Sequence, residues 1–357
     1  MVESMIAVRL HGPRDLRVER VARPARERPD DVLVGVRAVG ICGSDLLAYQ
    51  DAQLADVLRG RPLVLGHEVC GVVAEAPDGA LGGDGAPLRT GALVAVDPAE
   101  PCGACERCRA GDPNLCAGLR FRGLHPDDGG LREWLYAPAR NCYPLPAGLG
   151  AEVGALTEPL GVALHATDLA HLRVGESVAI LGAGPLGLCI LQVARLAGAG
   201  PILVSDKLPW RLALAERCGA TPVNCGDDDP VRRVLDLTGG RGVDVAIEAA
   251  WADHSIQQAA EMCRPGGRVV LVGIPRDDRL TLSHGVARRK GLTIRLCRRM
   301  KHAYLRAIRL VACGAVDVAG LVSHRFPLPR TPEAFALNAA YHDGVVKVIV
   351  HSEEETR

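Results

Sequence analysis

Residues 177–187 read SVAILGAGPLG, and the fold follows from what these eleven positions require. Ser177 to Leu181 is a compact apolar run of strand length, and Leu186 to Ala197 has the length and apolar spacing of a helix. Between them Gly182, Gly184 and Gly187 form G-x-G-x-x-G. The first glycine permits a tight turn, the second lets backbone approach a pyrophosphate, and the third lets helix pack on strand. Pro185 and Leu186 lie inside the same turn and are counted with it, where the helix N-terminus offers N–H groups and positive dipole to phosphates. Downstream, Ile202 to Ser205 reads as a second strand, Arg211 to Cys218 as a helix, and Val243 to Glu248 and Arg268 to Val272 as further buried strands. Strands joined by helical crossovers predict an α/β, doubly wound parallel sheet.

Asp206 closes the second strand, 206 − 182 = 24 residues after the first glycine. A carboxylate there accepts the ribose hydroxyls of an adenosine half and repels a 2′-phosphate, which favours NAD over NADP. Lys207 and Arg211 lie close by and soften that preference. The plainer reading of Asp206 is a cap on the following helix.

The chain has 357 residues, enough for about two domains. Its 42 basic and 42 acidic residues cancel, so no global field draws in nucleic acid or an anionic membrane. The longest apolar stretch, Val178 to Leu191, is shorter than the roughly 20 residues that a bilayer requires. Residues 1–14 lack the pattern of a signal peptide. Thirteen cysteines without an export signal fit a reducing cytoplasm, with thiolates available for metal.

From Met1 to about Pro146 the texture is short strands and turns, with Val32 to Val39, Val69 to Ala74 and Leu93 to Val96 as strands. Near the end, Tyr304 to Cys313 reads as a helix and Gly344 to Val350 as a strand that rejoins this first domain. Inside a Pro/Gly-rich loop, Cys102, Cys105, Cys108 and Cys116 are spaced C-x2-C-x2-C-x7-C. Four thiolates so placed can close a tetrahedral shell at about 2.3 Å around a structural Zn²⁺. Unligated or paired cysteines and an iron–sulfur cluster are the competing readings. A dispersed set, Cys42, His67, Glu68 and Glu158, offers one soft and several harder ligands, the mixture of an open catalytic zinc site. Taken singly, each has a structural reading: a core cysteine, a hydrogen-bonded histidine, a glutamate favouring a helix N-terminus.

GICGSD (40–45), LGHE (65–68), the four-cysteine loop, TEPLGVALHA (157–166) and the glycine turn occur in the order and spacing of the zinc-dependent medium-chain alcohol dehydrogenases, which the whole chain resembles. Within that family it is most similar to the sorbitol (polyol) dehydrogenase branch, through Pro126-Asp127-Asp128-Gly129, Asn141-Cys142-Tyr143 and His324-Arg325-Phe326-Pro327-Leu328. The threonine 3-dehydrogenases share many of these features and supply the alternative, oxidation of a β-hydroxy amino acid or amino alcohol. A non-catalytic zinc-binding protein on the same fold is more remote, because such a chain would be expected to lose metal ligands that this one keeps.

The resemblance implies a GroES-like catalytic domain over 1–157 with 298–357 rejoining it, a Rossmann domain over 158–297, and an active site in the cleft. It makes Cys42 and His67 catalytic zinc ligands, with Glu68 or Glu158 completing the shell, and gives two zinc ions per chain. Ser44 matches the hydroxyl that contacts the substrate oxygen and begins proton release, and Asp45 supports the loop. Arg299 matches an arginine that reaches substrate and cofactor, with His302 and Tyr304 as further candidates. Two positions depart from the family: Leu47 replaces a histidine common among relatives, and Ala48 replaces the aromatic after it. Hydride transfer between a secondary alcohol and NAD, in a homodimer or homotetramer, is the expected function.

Overall fold

The computed structural model describes residues 4–51, 60–250, 252, 254–275 and 279–352. The chain divides into two units: residues 1–158 with 304–357, and residues 159–303.

In the second unit, six strands lie in the order Thr221–Asn224, Ile202–Asp206, Val178–Leu181, Val243–Glu248, Cys263–Leu271, Thr293–Leu296. Every pairing among them is parallel. Numbered along the chain this is 3-2-1-4-5-6, the Rossmann order, whose ligand crevice opens at the carboxyl ends of the strands where the order reverses. Val243–Glu248 is buried at every residue, as a strand covered on both faces must be. The helix Pro185–Leu196 begins where the glycine turn ends, with proline in its first turn, where a missing N–H leaves no intrahelical bond unmade. Asp244 fastens the opposite end of the sheet. Its carboxylate accepts from Ser177 N–H and Oγ, at 2.9 and 2.7 Å, and from Arg241 and Arg264 at 2.6 Å each.

The first unit is built on a largely antiparallel sheet. Along it run Cys142–Pro144, Leu93–Val96, Glu68–Glu75, Asp31–Gly40, Lys347–His351 and Val322–Pro327, with Trp134–Pro138 also paired to Asp31–Gly40. The chain end thus pairs with a strand laid down some 300 residues earlier, Ile349 opposite Gly40. Gly40 in turn stands opposite Glu68. A hairpin of Ser4–Gly12 and Asp15–Ala22, followed spatially by Leu63–Val64, forms a second sheet. That hairpin and the helix Gly43–Gln50 are not evident in the sequence pattern, since turn residues interrupt both. Valines and leucines from the two sheets, with Phe335 at the centre, make one core. Among the described residues no helix is long and apolar enough to cross a membrane.

Candidate functional site

Three strand ends converge at one place in the first unit. Asp31–Gly40 delivers Cys42, Glu68–Glu75 begins at Glu68 with His67 just before it, and Lys347–His351 begins at Lys347. Ligand atoms of Cys42, His67 and Glu68 all lie within 4.8 Å of one another. A tetrahedral ion with ligands at 2.0–2.3 Å separates its donors by about 3.3–3.8 Å, so these residues fit a zinc ion after a small contraction. His67 and Glu68 are buried and Cys42 half-buried. Glu158 is buried on the long helix Ala151–Ala170 and does not join the three within that distance.

Asp45 sets the spacing of the cluster. One carboxylate oxygen accepts the Cys42 N–H at 2.9 Å; the other accepts the Gly66 N–H at 3.2 Å and lies 3.4 Å from His67 Nδ1. With Nδ1 directed to a carboxylate, Nε2 is the nitrogen left for a metal. Burial disfavours the imidazolium, but Asp45 and Cys42 beside it hold the His67 pKa well above its ordinary value. Asp45 stays below the usual carboxylate range despite burial, because His67 and the two amides favour its charged form. The Phe121 ring leans on His67 at 5.3 Å between centroids.

Lys347 is the residue that sequence reasoning missed. Its Nζ lies 2.5 Å from Glu68 Oε2 and donates to the Ile41 carbonyl at 2.9 Å. The signal was present as a lone lysine inside the apolar run GVVKVIV (344–350). Burial lowers the Lys347 pKa and Glu68 with Cys42 raises it, the net shift being upward. Gly40 makes room for the pair: a Cβ there would sit 1.9 Å from Glu68 Oε2.

The cysteine lobe gathers Cys102, Cys105, Cys108 and Cys116 with all four sulfurs within 4.8 Å of one another. Sγ separations of 3.5 Å (105 to 108) and 4.0 Å (102 to 108) bracket the ~3.8 Å edge of a ZnS₄ tetrahedron. N–H groups of Ala104 and Cys105 pull the Cys102 thiol down to about 6. Burial with its sulfur neighbours pushes Cys108 up to about 12. All thirteen cysteines are free, so the lobe holds no disulfide.

In the second unit Gly182 has φ +99°, and a Cβ at Gly187 would lie 1.9 Å from the Gly182 carbonyl, so both positions need glycine. Asp206 ends the second strand. Its Oδ2 accepts the Ala183 N–H at 2.8 Å and its Oδ1 the Leu208 N–H at 2.9 Å. It therefore braces the glycine turn and the start of the next helix together, and each oxygen keeps a lone pair for a hydroxyl. Arg211 is half-buried, its Nη1 standing 3.6 Å from where a Gly184 Cβ would be. Arg299 is half-buried with φ +55°, and His302 is exposed. The remaining candidate from the sequence is Tyr304. It is buried in the first unit, stacked on Tyr143 at 4.7 Å, and its hydroxyl donates to the Val96 carbonyl at 3.2 Å.

A thiolate–imidazole–carboxylate cluster and a dinucleotide turn, carried by these two folds, define a zinc-binding dehydrogenase. Residues 185–312 match the zinc-binding dehydrogenase domain, and residues 28–147 match the alcohol dehydrogenase GroES-like domain. The chain is 33% identical over 350 residues to the sorbitol dehydrogenase of Bacillus subtilis (strain 168), covering 98% of each. A zinc-binding dehydrogenase from Sinorhizobium meliloti 1021, solved bound to NADP, superposes with a TM-score of 0.88 at 34% identity, over 98% of this chain and 99% of that one. L-idonate 5-dehydrogenase from Escherichia coli K-12 does so with a TM-score of 0.87 at 28% identity, again over 98% and 99%. The chain belongs to the zinc-dependent medium-chain alcohol dehydrogenases, in their sorbitol dehydrogenase-like branch. It is an oxidoreductase that uses zinc and a nicotinamide cofactor on a small-molecule substrate, and its fold is the GroES-like plus Rossmann pair that the resemblance implied.

Proposed function

We propose that the enzyme transfers hydride between NAD and a secondary alcohol of a polyol, cyclitol or sugar. The observation that carries this reading is the gathering of Cys42, His67 and Glu68 within 4.8 Å around a position that one ion can fill. The relatives that act on sorbitol and on L-idonate support a polyhydroxylated substrate.

Cys42 and His67 would hold the catalytic zinc, with Glu68 or Glu158 completing its shell, and the four-cysteine lobe would hold a second, structural ion. Bound there, zinc supplies Lewis acidity toward an alcohol or carbonyl oxygen. Ser44, half-buried in the first turn of the helix after Cys42, takes the hydroxyl proton. Leu47 and Ala48 offer no group to pass it on, so it leaves Ser44 Oγ for the cofactor ribose or water. Gly182, Gly184, Pro185, Leu186 and Gly187 seat the pyrophosphate, Asp206 takes the adenosine ribose hydroxyls with Arg211 beside it, and Arg299 orients substrate and nicotinamide. The substrate carbon gives up hydride, so alcohol and NAD⁺ become ketone, NADH and a proton. Asp206 supports NAD as the physiological cofactor, and the thirteen free thiols support a cytoplasmic setting. The strand Thr293–Leu296 ends its sheet with Leu296 69% exposed, which supports a homodimer or homotetramer joined at that edge.

A screen of the zinc-loaded enzyme over polyols, cyclitols, aldoses and β-hydroxy amino acids, with NAD and NADP in parallel, tests the reading. NAD reduction by a polyol or sugar is expected. Activity confined to simple primary alcohols, or to β-hydroxy amino acids, would overturn it.

A further inference from the structure

A cavity of about 500 Å³ opens in the first unit between the N-terminal hairpin, the strand of Tyr136 and the loop that carries Arg120 to Asp128. None of the metal-cluster residues lines it. Its volume is that of a metabolite site. One wall holds Arg132, a residue only 7% exposed. Arg132 Nη2 donates to the Asp128 carbonyl at 3.3 Å, its Nε has no partner, and among the described residues no carboxylate pairs with it. Burial holds its pKa down to about 10, yet at neutral pH the side chain stays charged. The nearby carboxylates of Asp128 and Glu27, also on the lining, favour that charge from a distance but pair with Arg61 at 3.8 Å and Arg120 at 3.4 Å, so the Arg132 fork keeps unmet donors. Two neighbours on the lining are similarly unfinished. Arg122 pairs with Glu100 through Nη2 at 2.7 Å but leaves its buried Nε unbonded. Asp31, 3% exposed, accepts from Arg28 N–H with Oδ2 at 2.9 Å and leaves Oδ1 without a donor.

We propose that this cavity binds a small anion bearing hydroxyl groups, a phosphate ester or a hydroxycarboxylate, with Arg132 and Arg122 on its anionic oxygens and Asp31 accepting from a hydroxyl. Guanidinium forks suit carboxylate and phosphate equally, so the anion is the shared chemistry. The site adjoins the metal loop by backbone. The Gly129, Gly130 and Leu131 amides donate to the Val64, Gly66 and Leu65 carbonyls at 2.7, 2.7 and 3.0 Å, just ahead of His67.

Calorimetric titration of the zinc-loaded full chain at fixed ionic strength tests this, with glucose 6-phosphate, citrate, inorganic phosphate and neutral sorbitol as probes. The phosphate-ester and carboxylate arms tell the two sources apart. We expect saturable binding of one anion per chain at or below about 1 mM, unaffected by saturating NADH, with sorbitol silent in this site. Arg132→Met should weaken that binding at least tenfold without changing zinc content or NADH affinity. Arg132→Lys, which keeps the charge and loses the fork, should fall between and serves should the methionine variant fail to fold. Absence of saturation by all three anions, unchanged affinity in both variants, or competition with NADH would each overturn the proposal. Because NADH affinity is read independently, failure here is distinguishable from failure of the dehydrogenase reading.

Discussion

Lys347 Nζ stands 2.5 Å from Glu68 Oε2, with the two side chains 2% and 1% exposed. An ion pair so deeply buried is sensitive to the loss of one partner far more than to the loss of both. Lys347→Met should therefore lower the stability of the metal-free protein by about 3–5 kcal/mol, measured by urea unfolding. The double variant Lys347→Met, Glu68→Gln should recover much of that loss. Equal destabilisation in single and double variants would show that the pair contributes packing rather than charge balance.

Asp45 acts on the metal through its neighbours. Asp45→Asn preserves shape but weakens the acceptor facing His67 Nδ1, and loss of such a partner costs about 10–100-fold in metal affinity. Competition against a chromogenic chelator should show zinc released that much more readily from this site.

The cysteine lobe should be separable from catalysis in its metal count. Cys105→Ser is expected to reduce zinc from about two to about one per chain while leaving NADH binding in place. Arg107 and Arg109 are exposed on this loop, and trypsin should cut there faster in this variant than in the parent. Retention of both ions would show that three sulfurs suffice.

Asp206 makes a selective prediction about the cofactor. Bonds from ribose hydroxyls to a charged acceptor contribute about 1.5–3 kcal/mol, so Asp206→Ala should raise KM for NAD roughly 10–100-fold. KM for NADP should fall or stay level, since the carboxylate that opposes its 2′-phosphate is gone. Steady-state kinetics with both cofactors decides this, and parallel rises would indicate that only the turn had been loosened.

Asp244 gives the second unit a dependence on acid. Arg241, Arg264 and Ser177 hold its carboxyl well below the usual carboxylate range against the opposing effect of burial. A depressed folded pKa means that its stabilisation is complete above the unfolded value, about 3.9, and is lost as pH falls below it. Asp244→Asn should destabilise the protein at pH 7 by about 1.5–3 kcal/mol and flatten the decline between about pH 4 and pH 2, followed by circular dichroism. An unchanged acid transition would place the sensitivity elsewhere.

Much of this was written locally in the chain. The strand–glycine–helix register around Gly182 and the cysteine spacing from 102 to 116 each use neighbours in sequence, so their geometry is nearly dictated by it. Asp45 was placed in support of the metal loop only through the family resemblance of GICGSD (40–45). Lys347 could not be assigned to Glu68, because they meet only through the pairing of a late strand with Asp31–Gly40. Arg132 was silent for the same reason: its isolation depends on which segments wall the cavity, and no spacing encodes that.

The single carboxylate that ties the amides of Cys42 and Gly66 has a consequence for how the enzyme comes by its ion. Asp45 holds the backbone at both residues by bonds that involve no metal, so the spacing of this loop is set by the chain itself and an ion imposes only a small contraction on its ligands. Exchange of zinc for cobalt should then leave the backbone of this loop in place.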